Sequence, residues 1–415
     1  MSWVSAPVLV GLGVGTAAMA TSTFTTLGLG ALGPDLRSSF HLTTFQVGLL
    51  PGLVFLGALI ASVPAGHLTD RLGAGRTLTV SQLGVASGVV VALAATGRWP
   101  FLAGVAIAGL GYGAVNPATN VLSTSLVPRR RRALFLSVKQ TGVTLGGLIA
   151  GATLPPLAAT LGWRSAVGVA VALLLCGAVV GVWVSRREAR GWFSAPKPAP
   201  EQGDTAPEVT VSVPGGRPTA LFGFVMSGVQ LSLAGYLTVY LVDTHGFSKT
   251  TAGIALSVAF AAACLARITW GWVSDRFFTS HASTLVLICA GSAGALIAIA
   301  AGVRGPSLWL VIVLIGACSI GWNGVYMALI TDPAGHAGLG RATGRGLTAI
   351  YGGVAVLPPL LGVVKDLSHS WSAVWITATA AVVVAGTALA FSPRHRVRVG
   401  AERPGVGRAQ TGITT

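Results

Sequence analysis

The sequence predicts an all-α membrane protein, with twelve transmembrane helices in two pseudo-symmetric six-helix bundles. Three observations carry that expectation. Charged residues make up 9% of 415 and apolar residues 53%, far from the composition of a soluble domain. Apolar runs of the ~20 residues needed to cross a bilayer recur along the chain. A short pattern, Gly, three residues, then Asp-Arg, occurs twice, 205 residues apart.

The first six runs, spans 1 to 6, lie near 8–32, 44–66, 77–97, 99–127, 134–158 and 163–184. Spans 7 to 12 lie near 219–242, 250–273, 282–303, 306–331, 343–364 and 371–391. Residues 1–185 are thus expected to form an N-terminal bundle and 219–392 a C-terminal one. The first run is read as retained, because it is too long for a cleaved signal and no basic residue precedes it. Between the bundles, 186–218 opens with Arg186-Arg187-Glu188 and contains Pro196, Pro198, Pro200, Pro207 and Pro214. That content suits a flexible cytoplasmic linker without a core. The basic tail 393–415 is expected to be disordered.

A net charge of +16 raises nucleic acid as a partner, but the placement of the charges argues otherwise. If the N-terminus is cytoplasmic, nineteen Lys and Arg fall on the inside, six on the outside, and two, Lys139 and Arg267, within spans. This bias places both termini in the cytoplasm. The basicity therefore reports orientation and contact with a lipid bilayer, not nucleic acid. The four Cys lie within spans at spacings that suit neither zinc nor a disulfide framework, and no His falls in a span interior, so no metal site is indicated.

The repeat is longer than the Asp-Arg pattern. Gly66, Asp70 and Arg71 follow span 2, and Gly271, Asp275 and Arg276 follow span 8, the same slot in each half. Leu154-Pro155-Pro156-Leu157 in span 5 recurs as Leu357-Pro358-Pro359-Leu360 in span 11. Gly146-Gly147 corresponds to Gly352-Gly353, Asn116 to Asn323, and Lys139 falls opposite Arg345. Parallel repeats of six hydrophobic segments are the mark of a two-halved secondary transporter.

On these residues the chain resembles the major facilitator superfamily over nearly its whole length. The loop signature after span 2 is matched by Gly66, Asp70, Arg71, Gly73 and Arg76, and departs at Ala74 and Gly75, where that family usually has basic residues. The second copy is weaker, with Phe278 in place of the glycine. The resemblance implies two bundles rocking around a cavity lined by spans 1, 2, 4, 5, 7, 8, 10 and 11, with the others facing lipid. It also implies that Asp70 docks at the start of span 11, near Arg341 and Arg345, and Asp275 at the start of span 5, gating the cytoplasmic side. A carboxylate at a helix N-terminus is stabilised by roughly 0.3–1 kcal/mol. A monomer is implied as well.

A cation at mid-membrane costs about 2.5–3.5 kcal/mol, so it is usually paired or functional. All eleven acids, from Asp35 to Glu402, lie at span ends, in loops or in tails, leaving Lys139 and Arg267 without a carboxylate at their depth. Such a cavity suits an anion. Arg267, four residues before Gly271, offers a planar fork for a carboxylate or oxyanion. It is similar in position to the anion-binding Arg of nitrate and monocarboxylate permeases in the family. The alternative is an arginine snorkelling to the cytoplasmic face. Lys139, seven residues beyond Arg132, is open to the same alternative. Gln140 follows it. Tyr112, Asn116 and Asn120 share one face of span 4, Asn323 and Tyr326 lie on span 10, and Gln230, Tyr236 and Tyr240 on span 7. Each is a candidate cavity residue or helix–helix glue.

The function expected is transport of a small anion, a carboxylate or oxyanion, by alternating access, nearest to cyanate, nitrate and monocarboxylate permeases. The alternative is a proton-coupled drug or metabolite exporter. Exporters of that group usually carry a Gly-Pro-centred motif in span 5 and often a buried acid. Here Gly142 to Gly147 contains no proline and the acid is missing. A receptor or scaffold would call for an added soluble domain. No nucleophile, base and orienting residue are recognisable together and no cofactor fingerprint appears, so neither an enzyme nor a cofactor is expected. Protons are a candidate coupling ion, with Asp35, Asp243 and Asp332 as carriers; the alternative is facilitated diffusion or anion exchange. The compact loops fit a bacterial inner membrane.

Overall fold

A computed structural model of the chain describes residues 5–127, 132–193, 208–214, 216–278, 280–331, 335–392 and 394–400. Twelve helices are long and apolar enough to span a membrane: Ala6–Ala31, Thr44–Leu72, Ala74–Ala94, Arg98–Thr124, Val138–Leu161, Trp163–Glu188, Gly216–His245, Lys249–Phe277, His281–Ala300, Pro306–Ile330, Gly346–Ser368 and Trp371–Ala390. Each coincides with one of spans 1 to 12. The helices of spans 5 and 11 begin further out, at Arg132 and Gly335. Because six spans separate the N-terminus from the linker and six more lead to the tail, all three share one face of the molecule. We call it the linker face and its opposite the far face.

The helix boundaries follow local chemistry. Span 2 opens with a capping box, in which Thr43 Oγ1 accepts from the Gln46 N–H and Gln46 Oε1 from the Thr43 N–H. It closes at Gly73, whose φ of 86° lets the chain turn directly into span 3. Span 8 is capped by Ser248 and span 12 by Ser370.

The two halves repeat their packing. Span 1 lies on span 5 as span 7 lies on span 11, and span 3 lies on span 6 as span 9 lies on span 12. The halves meet where span 2 crosses span 11 and span 5 crosses span 8. In lipid the helices gain little from burying apolar surface, so close backbone approach at small residues holds them together. A Cβ at Gly30 would collide with the Ala234 carbonyl, and one at Gly48 with that of Pro358. Spans 3, 6, 9 and 12 turn apolar side chains outward, among them Val90, Val179, Ile297 and Ile376.

Four features depart from the expectation. A short helix, Gly33–Phe40, fills the first far-face loop, with Leu36 and Phe40 buried and Phe40 stacked on Phe101 at 4.4 Å. Span 4 breaks between Tyr112 and Val115, and span 10 passes through a π-helical turn, Ile315–Ile320, before resuming at Asn323. Both breaks fall just before the repeat-related Asn116 and Asn323. Irregular backbone at membrane depth is tolerated where it is enclosed by protein or lines a cavity. Span 6 continues to Glu188, past the expected boundary at 185. Finally, part of the linker and part of the tail are ordered together. Strand β1, Glu208–Pro214, pairs antiparallel with β2, Arg394–Gly400, with Val211 opposite Val397. The alternating valines Val209, Val211 and Val213 supply the strand propensity that an expectation of disorder overlooked.

Candidate functional site

Lys139 does not snorkel. Its side chain is 1% exposed and runs between spans 1 and 4. The Nζ donates to Asn120 Oδ1 at 2.6 Å, Asn116 Oδ1 at 3.1 Å and Thr119 Oγ1 at 3.4 Å. These acceptors stand three and four residues apart just after the break in span 4, which puts them on one helical face. The Thr119 hydroxyl gives its own proton to the Val115 carbonyl at 2.7 Å, leaving its lone pairs for the lysine. The cation is thus buried with three neutral partners.

Arg267 approaches the next residue of span 5 from the other half. Its Nη1 donates to the Gln140 carbonyl at 3.2 Å. Its Nε is buried without a partner, and so is Gln140 Oε1, among the described residues. Buried polar atoms are nearly always satisfied, so an orphaned donor and an orphaned acceptor at one contact mark a place for a polar occupant. Arg267 stands ten residues before Phe277, the end of span 8, roughly 15 Å from the linker face.

Tyr351 of span 11, which the sequence did not single out, stands close to Asn116 across the two halves. Phe55 of span 2 stands between Tyr351 and Tyr112, with ring centroids at 5.8 and 5.7 Å. Tyr112 is buried and contributes a wall. In the C-terminal half Asn323 Nδ2 donates to Gln230 Oε1 at 3.0 Å. This pair mirrors the Asn116 position without a charge.

Three of the expected cavity residues lie elsewhere. Tyr236 is fully buried, and its hydroxyl lies 2.6 Å from the Pro358 carbonyl and 3.1 Å from that of Thr44. Tyr326 is fully buried inside the C-terminal bundle, stacked on Phe222 at 5.7 Å and edge-on to Trp322. Span 7 is buried nearly all round, so its sequence carried no mark of which face met the cavity. Tyr240 turns to the Ile299 carbonyl at 3.0 Å.

The far face is closed by contacts between the halves. Arg37 pairs with Asp243 at 2.6 Å and Lys249 with Asp35 at 2.6 Å. The Asp366 carboxylate accepts from the Thr44 and Phe45 N–H groups at 3.0 and 2.8 Å, at the positive start of span 2. Thr238 Oγ1 donates to the Gly30 carbonyl at 2.7 Å.

At the linker face Asp70, Arg71, Asp275 and Arg276 are exposed, and open space surrounds Gly66 and Gly271. The expected docking of Asp70 involves Arg341 and Arg345, whose side chains lie outside the described residues. So do the side chains at the start of span 5 opposite Asp275. A different cap is present. Glu188 at the end of span 6 accepts from the Ala74 and Gly75 N–H groups at 3.1 and 2.9 Å. This explains why the loop signature departs there: a Cβ on Gly75 would strike the Ser185 backbone. Small residues let the carboxylate reach the helix start.

Two six-span halves, locked together at one face and holding buried cations between their helices, define a membrane transporter and not an enzyme. The chain belongs to the Major Facilitator Superfamily, whose family profile matches residues 12–358. It is 24% identical to the gentisate transporter of Corynebacterium glutamicum over 89% of this chain and 86% of that one. It is 25% identical to the probable nitrate/nitrite transporter NarK2 of Mycobacterium tuberculosis, covering 90% and 94%. It is 24% identical to the hexuronate transporter of Bacillus subtilis, covering 86% and 87%. Among solved structures it is similar in fold to a bacterial homologue of the human lysosomal transporter Spinster, with a TM-score of 0.71 at 17% identity, covering 93% and 95%.

Proposed function

We propose that the protein moves a small anion, a carboxylate or an oxyanion, across a bacterial inner membrane by alternating access, with its linker face cytoplasmic. The single observation that carries this reading is the unpaired Arg267 beside the buried Lys139. Each acidic residue within a span lies in its last turn, so neither cation has a carboxylate at its depth. A substrate anion supplies the missing countercharge. Relatives named for gentisate, hexuronate and nitrate or nitrite, all anions, agree with it. With the far face shut, access to the site would be from the linker face.

Asp35 and Asp243, the candidate proton carriers, are engaged in the far-face ion pairs. Their protonation would loosen that closure and couple a proton to opening. Asp332 lies outside the described residues.

The test is uptake of radiolabelled nitrate, acetate and benzoate into liposomes holding the purified protein. Wild type is expected to take up at least one of them, and Arg267→Ala to lose it. Transport of lipophilic cations alone, equal in both proteins, would reject the reading in favour of a drug exporter.

A further inference from the structure

We propose that the substrate anion is held by the amide N–H groups of Asn116 and Asn120, and that Lys139 is the residue that positions them without touching the substrate. The inference rests on the anion reading above and assigns its contacts. An ammonium has three N–H donors and no acceptor. Here all three are directed at acceptors, on Asn116, Thr119 and Asn120, and the side chain is 1% exposed. No donor remains for a ligand.

The same bonds fix the amides. An asparagine can ordinarily present either its oxygen or its nitrogen to a neighbour. Beside a donor-only cation the flipped form would set N–H against N–H. Both Oδ1 atoms must therefore face Nζ, and both NH2 groups turn away from it. Asn120 is exposed, Asn116 is half-buried, and Tyr351 reaches Asn116 from the other half. The face carrying both amides thus looks onto the space between the bundles. Residues four apart on a helix are near neighbours, so the donors can converge on one group with two acceptor oxygens.

The lysine Nζ stands directly behind them. An anion on the amides becomes its countercharge at second-neighbour distance, and a cation there is repelled. A neutral polar ligand gains the hydrogen bonds but not the field. The ligand class is a compact oxygen anion, a carboxylate or a planar oxyanion, with Arg267 as its partner from span 8.

The test measures dissociation constants for nitrate, acetate and benzoate by thermal shift on the purified full-length protein. The variants are Asn116→Asp, Asn120→Asp, Lys139→Arg and Arg267→Ala. In each Asn→Asp variant a carboxylate oxygen replaces Oδ1 and pairs with Lys139, so the anion-free melting temperature should hold or rise. The outward N–H donors become a carboxylate oxygen, and anion binding should weaken by on the order of tenfold to a hundredfold. Lys139→Arg, which keeps a donor-only cation, should retain part of the affinity. If an aspartate variant fails to fold, Asn120→Ser, at an exposed position, serves in its place with a smaller expected loss. Anion binding that falls in Arg267→Ala but is unchanged in every Asn116 and Asn120 variant would overturn this assignment and leave the anion reading standing. Wild type that binds none of the three anions would overturn the anion reading, and this assignment with it.

Discussion

The far-face seam and the cluster around Lys139 and Arg267 use charge in opposite ways. At the seam each cation has an acid from the other half at 2.6 Å, and the pairs are partly exposed. Around Lys139 and Arg267 the hydrogen-bond partners are neutral oxygens. A pair in water is worth about 0–1 kcal/mol, so it can open and close without a large barrier. A buried cation without an acid interacts strongly with any anion that arrives, because the surroundings screen it poorly. Paired charge therefore serves as a latch and unpaired charge as a binding site.

Removing the unpaired charge should have the largest effect. Arg267→Ala is expected to weaken anion binding by about tenfold to a hundredfold, the range for losing hydrogen bonds to a charged group. Saturation binding measures it directly, and an unchanged affinity would put Arg267 among the merely structural residues. Next comes the seam. Asp35→Asn with Asp243→Asn removes both latches, up to ~2 kcal/mol together, and should favour opening at the far face. Thiol labelling of a cysteine introduced at Ala234, which packs against Gly30, should become several-fold faster in that background. A labelling rate that does not move would mean that helix packing alone holds the face shut.

Smaller effects are expected at the linker face. Glu188→Gln weakens the cap on span 3 and should lower stability by about 1 kcal/mol, read as a fall in melting temperature with transport otherwise retained. Asp70→Asn should lower the transport rate more than equilibrium affinity, and equal turnover in mutant and wild type would remove Asp70 from the gate. The smallest effect is expected for Tyr326→Phe. Its hydroxyl is buried without a partner among the described residues, so removing it should leave stability within about 0.5 kcal/mol and transport unchanged.

Hydropathy made the twelve spans legible, because each helix has to satisfy its own backbone and present apolar side chains to lipid. The inventory of acids made the cation imbalance legible, since that requires only knowing where the spans end. What the sequence could not carry was partnership. Arg37 and Asp243 are 206 residues apart, and Lys249 and Asp35 are 214 apart, with no pattern linking them. The spacing of Asn116 and Asn120 placed both on one face of span 4. That the face would close around Lys139 depends on how spans 1, 4 and 5 pack. The same limit misplaced Tyr236 and Tyr326, since a tyrosine in an apolar run reads alike whether it lines a cavity or fills a seam. Glu188 was assigned to the linker because it follows two arginines, yet it ends a helix whose last turn caps its neighbour.

The most direct measurement of whether unpaired charge makes the binding site is a thermal-shift comparison of wild type and Arg267→Ala in detergent. Small mono- and dicarboxylates, nitrate and cyanate would be set against lipophilic cations. A ligand of the folded state at a hundredfold over its dissociation constant adds about 2.7 kcal/mol of stability. Stabilisation of wild type by an anion, lost in Arg267→Ala, is the predicted result. Stabilisation by cations or neutral drugs that is the same in both proteins would contradict it.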